Sequence, residues 1–353
     1  MRIELALASV LVLTAAASST SDSKPWTRSA NLRTATVHAI VVDPARPSNV
    51  YAGTSIGGVI RSTDGGRHWR GRYTLGRGVR SLAIYPTSPS TVYAGTWGDG
   101  IYKSTNGGVS WGVLDLPYND LGVHALVVDP REPRIVYAGT DHVGVLKTND
   151  GGVTWTEMNG GIRPGGGRRR LEVGSLAIDP RSPKTIYAAT TLWGDGSRLF
   201  KTTDGAASWH ELHREQRGRW EVAVDPRSSA TVYGLFRDQF SKSTDGGASW
   251  TTSKLPRGIA LTLAVHPRTS HPYVGMLDWE AYFGGGRPSS AVYRSVDRGR
   301  SWQPFARGLE VPRRGKPGTR PPSVGALAFS PEGDVLFAGT DSAGIFQHRF
   351  KRG

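Results

Sequence analysis

Short apolar runs separated by turns rich in Gly, Pro, Asp and Ser recur along the whole chain. One stretch shows the pattern: "HALVV" from His124, a Pro-bearing turn, "IVYAGT" from Ile135, a second turn, "GVLKT" from Gly144, the polar turn "NDGGVTW", and a new run opening at Trp155. Runs this short, β-branched and bounded by turn residues predict strands. After the amino terminus, no segment carries the 3.6-residue periodicity of an amphipathic helix.

The pattern is a repeat. "DPARPSNVYAGT" from Asp43 returns as "YPTSPSTVYAGT" from Tyr85, "DPREPRIVYAGT" from Asp129, "DPRSPKTIYAAT" from Asp179 and "DPRSSATVYGLF" from Asp225. Weaker copies start at His266 and Ser330, giving seven units. Four antiparallel strands repeated at roughly 40 to 45 residues are the signature of propeller blades. The expected fold is therefore all-β, a seven-bladed propeller forming one domain over residues 24–353. The seventh unit is one strand short. "PWTRSA", Pro25 to Ala30, is expected to complete it, because Trp26 precedes the first apolar run as other tryptophans precede later ones. Such closure removes the exposed edges of an open ring.

A second motif, Ser/Thr-x-Asp-x-Gly-x-x-Trp, occurs six times. It comprises Ser62/Asp64/Gly66/Trp69, Ser104/Asn106/Gly108/Trp111, Thr148/Asp150/Gly152/Trp155, Thr202/Asp204/Ala206/Trp209, Ser243/Asp245/Gly247/Trp250 and Ser295/Asp297/Gly299/Trp302. Asn106 replaces the acid in one copy and Ala206 the glycine in another. A short acidic or amide side chain in a hairpin accepts backbone N–H bonds, and Gly takes a conformation that a β-carbon resists. Asn106 serves that role but not that of a general acid, so the motif reads as a turn. The tryptophans are expected to cover apolar surface between blades, with their ring N–H groups partnered.

These residues resemble the Asp-box, or BNR, repeat of a propeller superfamily. It includes sialidases, xyloglucan-active endoglucanases, sortilin-type receptors and a photosystem II assembly and stability factor. The resemblance implies that the boxes lie on the face opposite the functional one. A sialidase is a poor fit, because no Arg-Ile-Pro motif occurs. Asp141 and Asp341, in "AGTDHVG" and "AGTDSAG", resemble the place where the endoglucanases carry a catalytic Asp. Hydrolysis needs two carboxylates across the scissile bond, and blades three and seven are well separated around a ring. Those endoglucanases also use two propellers with a cleft between them.

The chain begins with Arg2, an apolar run from Leu5 to about Ala17, and small residues at Ala15 and Ala17. This predicts a secretory signal over residues 1–17 and a secreted or periplasmic protein, with no membrane span after its removal. With no cysteine among 353 residues, disulfides and thiol catalysis are excluded. A formal charge of +15 favours an anionic partner, protein or acidic glycan. Export disfavours nucleic acid. No cofactor or metal pattern is present. "GTSIG" around Ser55 lacks the helix a nucleophile elbow requires, and "HELH" at His210 falls in an expected strand.

The variable-length connections all fall on the face away from the boxes, where insertions in repeat proteins usually mark binding. The candidate binding residues there are Trp97, Arg163, Arg168, Arg169, Arg170, Trp193, Trp279, Tyr282, Arg313, Arg314 and Lys316. Arginine forks suit carboxylate or sulfate, and the aromatic rings suit sugar or a partner chain. The expected function is a monomeric, non-enzymatic binding or assembly module. The alternative is a glycoside hydrolase, with Asp141 and Asp341 as candidate acids.

Overall fold

The computed structural model describes residues 25–29, 35–56, 58–162, 170–192, 196–215, 220–256, 258–277, 291–312, 319–320, 322–341 and 343–351. Seven four-stranded antiparallel sheets form seven blades, and six of them take their strands in chain order from the axis outward. Their innermost strands are Val37–Val42, Val79–Ile84, Val123–Val128, Val173–Ile178, Trp220–Asp225, Ala260–Val265 and, in the seventh, Val324–Phe329. The seventh blade closes as expected. Thr27–Arg28 pairs antiparallel with the carboxy-terminal strand, Thr27 opposite Gln347 and Arg28 opposite Phe346. Trp26 anchors that strand: its indole N–H donates to the Phe305 carbonyl at 2.9 Å.

The second strand of each blade explains why "VYAGT" repeats. All five of its residues are buried in the first three blades. A β-carbon at Gly53 would lie 2.5 Å from Val79 Cγ1, and one at Gly339 would lie 2.5 Å from Val37 Cγ1. The glycine thus admits the first residue of the next blade, and filling that space would cost about 1–3 kcal/mol in overpacking. Where Leu235 takes the glycine's place, the facing residue is the small Ala260, and the two share one apolar cluster. The core is a series of such clusters between neighbouring blades, as where Tyr51, Val59 and Leu75 meet Val79, Leu82, Val92 and Ala94.

The boxed turns are built alike. Ser62 Oγ donates to Asp64 Oδ1 at 2.8 Å, and Asp64 Oδ1 accepts the N–H groups of Arg67 and His68 at 3.0 and 2.9 Å. In the copy without an acid, Asn106 Oδ1 accepts the N–H groups of Val109 and Ser110 at 3.1 and 2.9 Å. Its amide then donates to Ser110 Oγ at 2.8 Å, whereas Thr154 Oγ1 donates to Asp150 at 2.6 Å. The hydroxyl reverses its role and the turn survives.

Ring N–H partners are found for Trp69, Trp209, Trp250 and Trp302. The expectation fails at Trp111 and Trp155, whose buried ring nitrogens have no partner among the described residues. The connection between blades six and seven carries a short hairpin of Val311–Pro312 against Thr319–Arg320.

Five of the six boxes also donate a backbone N–H to the turn joining strands one and two of the same blade. Gly65 reaches Ser48 at 2.8 Å, and Gly151 reaches Arg134 at 2.9 Å. Both turns therefore occupy one face. The joints between strands two and three, and the links between blades, occupy the other.

Candidate functional site

The innermost strands start on the variable-loop face, and six of the seven begin with an irregularity. Pairing passes from Val37 to Ala39, Val79 to Ser81, Val123 to Ala125, Val173 to Ser175, Ala260 to Thr262 and Val324 to Ala326. The register steps over one residue at each place, and such bulges re-aim side chains. The skipped residues are His38, Arg80, His124, Gly174, Leu261 and Gly325. Together with Glu221, which stays in register, they line the central cavity of about 460 Å³.

A second ring is set just outside the first. In five blades the residue just after the second strand donates its N–H to the link entering that blade. Trp97 reaches Gly78, Asp141 reaches Gly122, and Asp341 reaches Ser323, each at 3.1 Å. Trp97, Asp141 and Asp341 thus hold one repeat position on different blades.

The two rings meet on one side of the mouth. The Arg80 guanidinium lies 4.0 Å from the centre of the Trp97 ring. His38 and His124 approach the same indole edge-on, at 6.1 and 5.9 Å. Trp97 remains 43 % exposed, so the stack faces solvent. A cation over an indole face is held by the ring quadrupole, by about 0.5–1 kcal/mol at an exposed site. The rest of the mouth carries Gly174, Leu261, Leu277 and Gly325, with the acids Glu221 and Asp341 among them.

The two candidate acids diverge. Asp341 lines the cavity, as does Glu221. Asp141 instead accepts the Gly122 N–H at 3.0 Å, and His142 Nδ1 lies 2.5 Å from it. The structure does not bring Asp141 and Asp341 onto one cavity lining. Arg170 is exposed beside Leu171, which bridges to Val143. Arg163, Arg168, Arg169, Trp193, Trp279, Tyr282, Arg313, Arg314 and Lys316 lie outside the described residues. Sequence reading missed His38, Arg80, His124 and Glu221. Their signal was available: each is a polar residue at the second place of an innermost strand that opens on a large apolar residue.

The box acids are unsuited to proton donation. The Thr154 hydroxyl, then the backbone N–H of that residue and the Thr148 hydroxyl, hold Asp150 well below the usual carboxylate range. Asp245 is held down in the same way by Ser249, side chain first. Such carboxylates stay ionised at neutral pH and have no proton to give. Among the described residues, no group of three or more His, Asp or Glu side chains is placed to hold a metal ion. No helix among them is long and apolar enough to cross a membrane.

Comparison with known proteins agrees on architecture. No protein-family model matches the sequence, and no curated protein matches it. Solved structures do match in fold. The GH74 xyloglucanase from Xanthomonas campestris is 20 % identical with a TM-score of 0.70, over 92 % of this chain and 53 % of its own. This chain therefore spans about half the length of that enzyme. YCF48 bound to a D1 peptide is 17 % identical with a TM-score of 0.67, over 94 % and 98 % of the two chains. YCF48 from Cyanidioschyzon merolae is 14 % identical with a TM-score of 0.64, over 92 % and 98 %. At these identities the likeness establishes a shared seven-bladed propeller fold, common to a glycoside hydrolase and to a peptide-bound protein.

Proposed function

We propose that this chain is an exported binding or assembly module that holds an anionic partner against the channel mouth on its variable-loop face. The stack of Arg80 on Trp97 carries the reading. A guanidinium laid on an indole is held in one plane, so its fork meets a carboxylate with little further loss of freedom. The exposed indole beside it offers apolar area to the adjoining part of the partner. His38 and His124 flank the pair, and the formal charge of +15 draws anions toward it. YCF48, solved with a peptide, is covered almost end to end by this chain, which supports a protein segment as the occupant.

The test is binding of fluorescently labelled acidic peptides with a free terminal carboxylate, followed by anisotropy. Arg80→Gln and Trp97→Ala should each weaken binding about tenfold, or ~1.4 kcal/mol. Wild-type affinity in both variants would sink the proposal.

A second reading, glycoside hydrolysis, rests on Asp341 and Glu221 lining one cavity and on the xyloglucanase fold likeness. It requires reducing-sugar release from some polysaccharide, lost in Asp341→Asn and Glu221→Gln. Inactivity across a broad panel removes it.

A further inference from the structure

The box face carries its own charge pattern, at the third position of the turn between strands one and two. Around the ring that position holds Ala45, Thr87, Arg131, Arg181, Arg227, Arg268 and Glu332. The four arginines are consecutive, on blades three to six, and all are exposed. Each reaches toward the next blade. Arg131 donates to the Arg181 carbonyl at 2.6 Å, Arg181 to the Arg227 carbonyl at 3.2 Å, and Arg227 to the Arg268 carbonyl. Arg268 ends the series 3.8 Å from Glu332.

The backbone beneath is equally fixed. Asp129, Asp179 and Asp225 are buried and accept the N–H groups of Arg131, Arg181 and Arg227 at 2.8, 2.9 and 2.9 Å. Asp225 also accepts the Tyr233 phenol at 3.1 Å and the Ser270 hydroxyl of the next blade at 2.8 Å. Arg131, Arg181 and Arg227 each spend one bond on a neutral carbonyl, which fixes position without cancelling charge, whereas Arg268 lies against the Glu332 carboxylate. Five donors per guanidinium leave several directed outward. The result is an arc of repeated cations on the box face, each in contact with the next blade.

We propose that this arc is a second anion-binding surface, on the face opposite the channel mouth, and that it takes a linear acidic polysaccharide. The repeat of one residue in one geometry matches a ligand whose charges also repeat. Beside the arginines stand Glu132, Ser182, Pro183, Ser228 and Thr269. These offer neither the aromatic anchors of a protein interface nor the stacking platforms that single-stranded nucleic acid uses. The apolar side chains exposed on this face, Val109, Val153 and Val296, belong to the outer boxed turns. Carboxylates along a sugar chain need only charge-assisted forks, which the arc supplies.

The experiment measures binding of labelled polygalacturonate to the full chain, at low salt and at about 0.15 M. Arg181→Gln/Arg227→Gln should weaken binding about tenfold and flatten the salt dependence. A charge-matched control on the outer strands, Arg70→Gln/Lys254→Gln, should change it less than about twofold. Glu332→Gln removes the acid that ends the arc and should tighten binding about threefold, a gain that misfolding cannot mimic. Equal losses in the arc variant and its control would overturn the proposal. So would neutral dextran binding as well, an unchanged Glu332→Gln, or a single-stranded polynucleotide binding more tightly than polygalacturonate.

Discussion

Tyr93, in the second blade, donates its phenolic hydrogen to the carbonyl oxygen of Gly151, in the boxed turn of the third, at 3.0 Å. The same rivet joins Tyr51 to Gly107, Tyr137 to Gly205 and Tyr187 to Gly246, at 3.2, 3.4 and 3.1 Å. Lys103 reaches the same Gly151 oxygen at 2.7 Å and lies 5.5 Å over the Tyr93 ring. Burial, reinforced by Tyr85 and Asp150, pushes the Tyr93 phenol up to about 12, so it remains a donor at any physiological pH.

Because that oxygen has two donors, either one alone should be dispensable at modest cost. Tyr93→Phe and Lys103→Met are each expected to lose about 0.5–1.5 kcal/mol. The double variant should lose more than the sum, because it strips both donors from a buried carbonyl. Urea unfolding midpoints of the four proteins check this. Simple additivity would show that water takes over at that site.

Ala206 sits at φ 75° where the other boxes have glycine at 82°, 81°, 100°, 97° and 94°. Its N–H still bonds to Thr202 Oγ1 at 3.1 Å, so the turn forms despite the β-carbon. A left-handed conformation costs an ordinary residue roughly 1–2 kcal/mol, and glycine loses roughly 0.5–1 kcal/mol more entropy on folding. Ala206→Gly should therefore stabilise the protein by about 0.5 kcal/mol, read as a raised denaturant midpoint. Destabilisation would mean that the buried methyl group contributes more packing than its strain costs.

The fold was legible because two short motifs repeat at a fixed period, and each repeat states its own strand ends. Even the closure by Trp26 followed from counting strands. The site was only half legible, for a physical reason. Trp97 announced itself as an aromatic residue in a connection. Arg80 and His124 lie inside strands, where alternation assigns a side chain to one of two blade faces. The skipped pairing at Val79/Ser81 and Val123/Ala125 turns them instead toward the axis. Bulges leave little trace in a single sequence. The arginine arc was visible as "DPR" in several turns, but its continuity from blade to blade needed the ring.

Acid should unfold the protein in two stages with different origins. Burial, then the neighbouring Arg294, lowers His348 from 6.5 to about 4. Burial, then His271 and Arg268, also lowers His266. Its Nδ1 accepts the Arg268 N–H at 3.1 Å, where four other blades use Asp. In both cases the unfolded chain binds the proton more readily. Each contribution is present above pH 6.5 and declines as pH falls below it, that of His348 down to about 4. The box acids act lower. Asp150, Asp204 and Asp245 are held below 3.8 by hydrogen bonds, so their contribution is present above that value and fades beneath it. Melting temperature against pH should show the first decline, and His348→Phe should flatten it. A profile that stays level to pH 4 would contradict the histidine assignment.

The character of Arg80 separates a positioned fork from general charge. Arg80→Lys keeps the cation but loses the planar contact with Trp97 and the paired N–H groups that a carboxylate accepts. If the mouth works only by attraction, Arg80→Lys should bind acidic peptides like the wild type, and raised salt should weaken both proteins equally. If the stacked fork is the recognition element, Arg80→Lys should lose about fivefold to tenfold, close to Arg80→Gln. Most of that loss should appear as faster dissociation, because long-range charge, and with it the association rate, is kept. The structure favours the second outcome: at 4.0 Å from the ring centre, the guanidinium is already placed before any partner arrives.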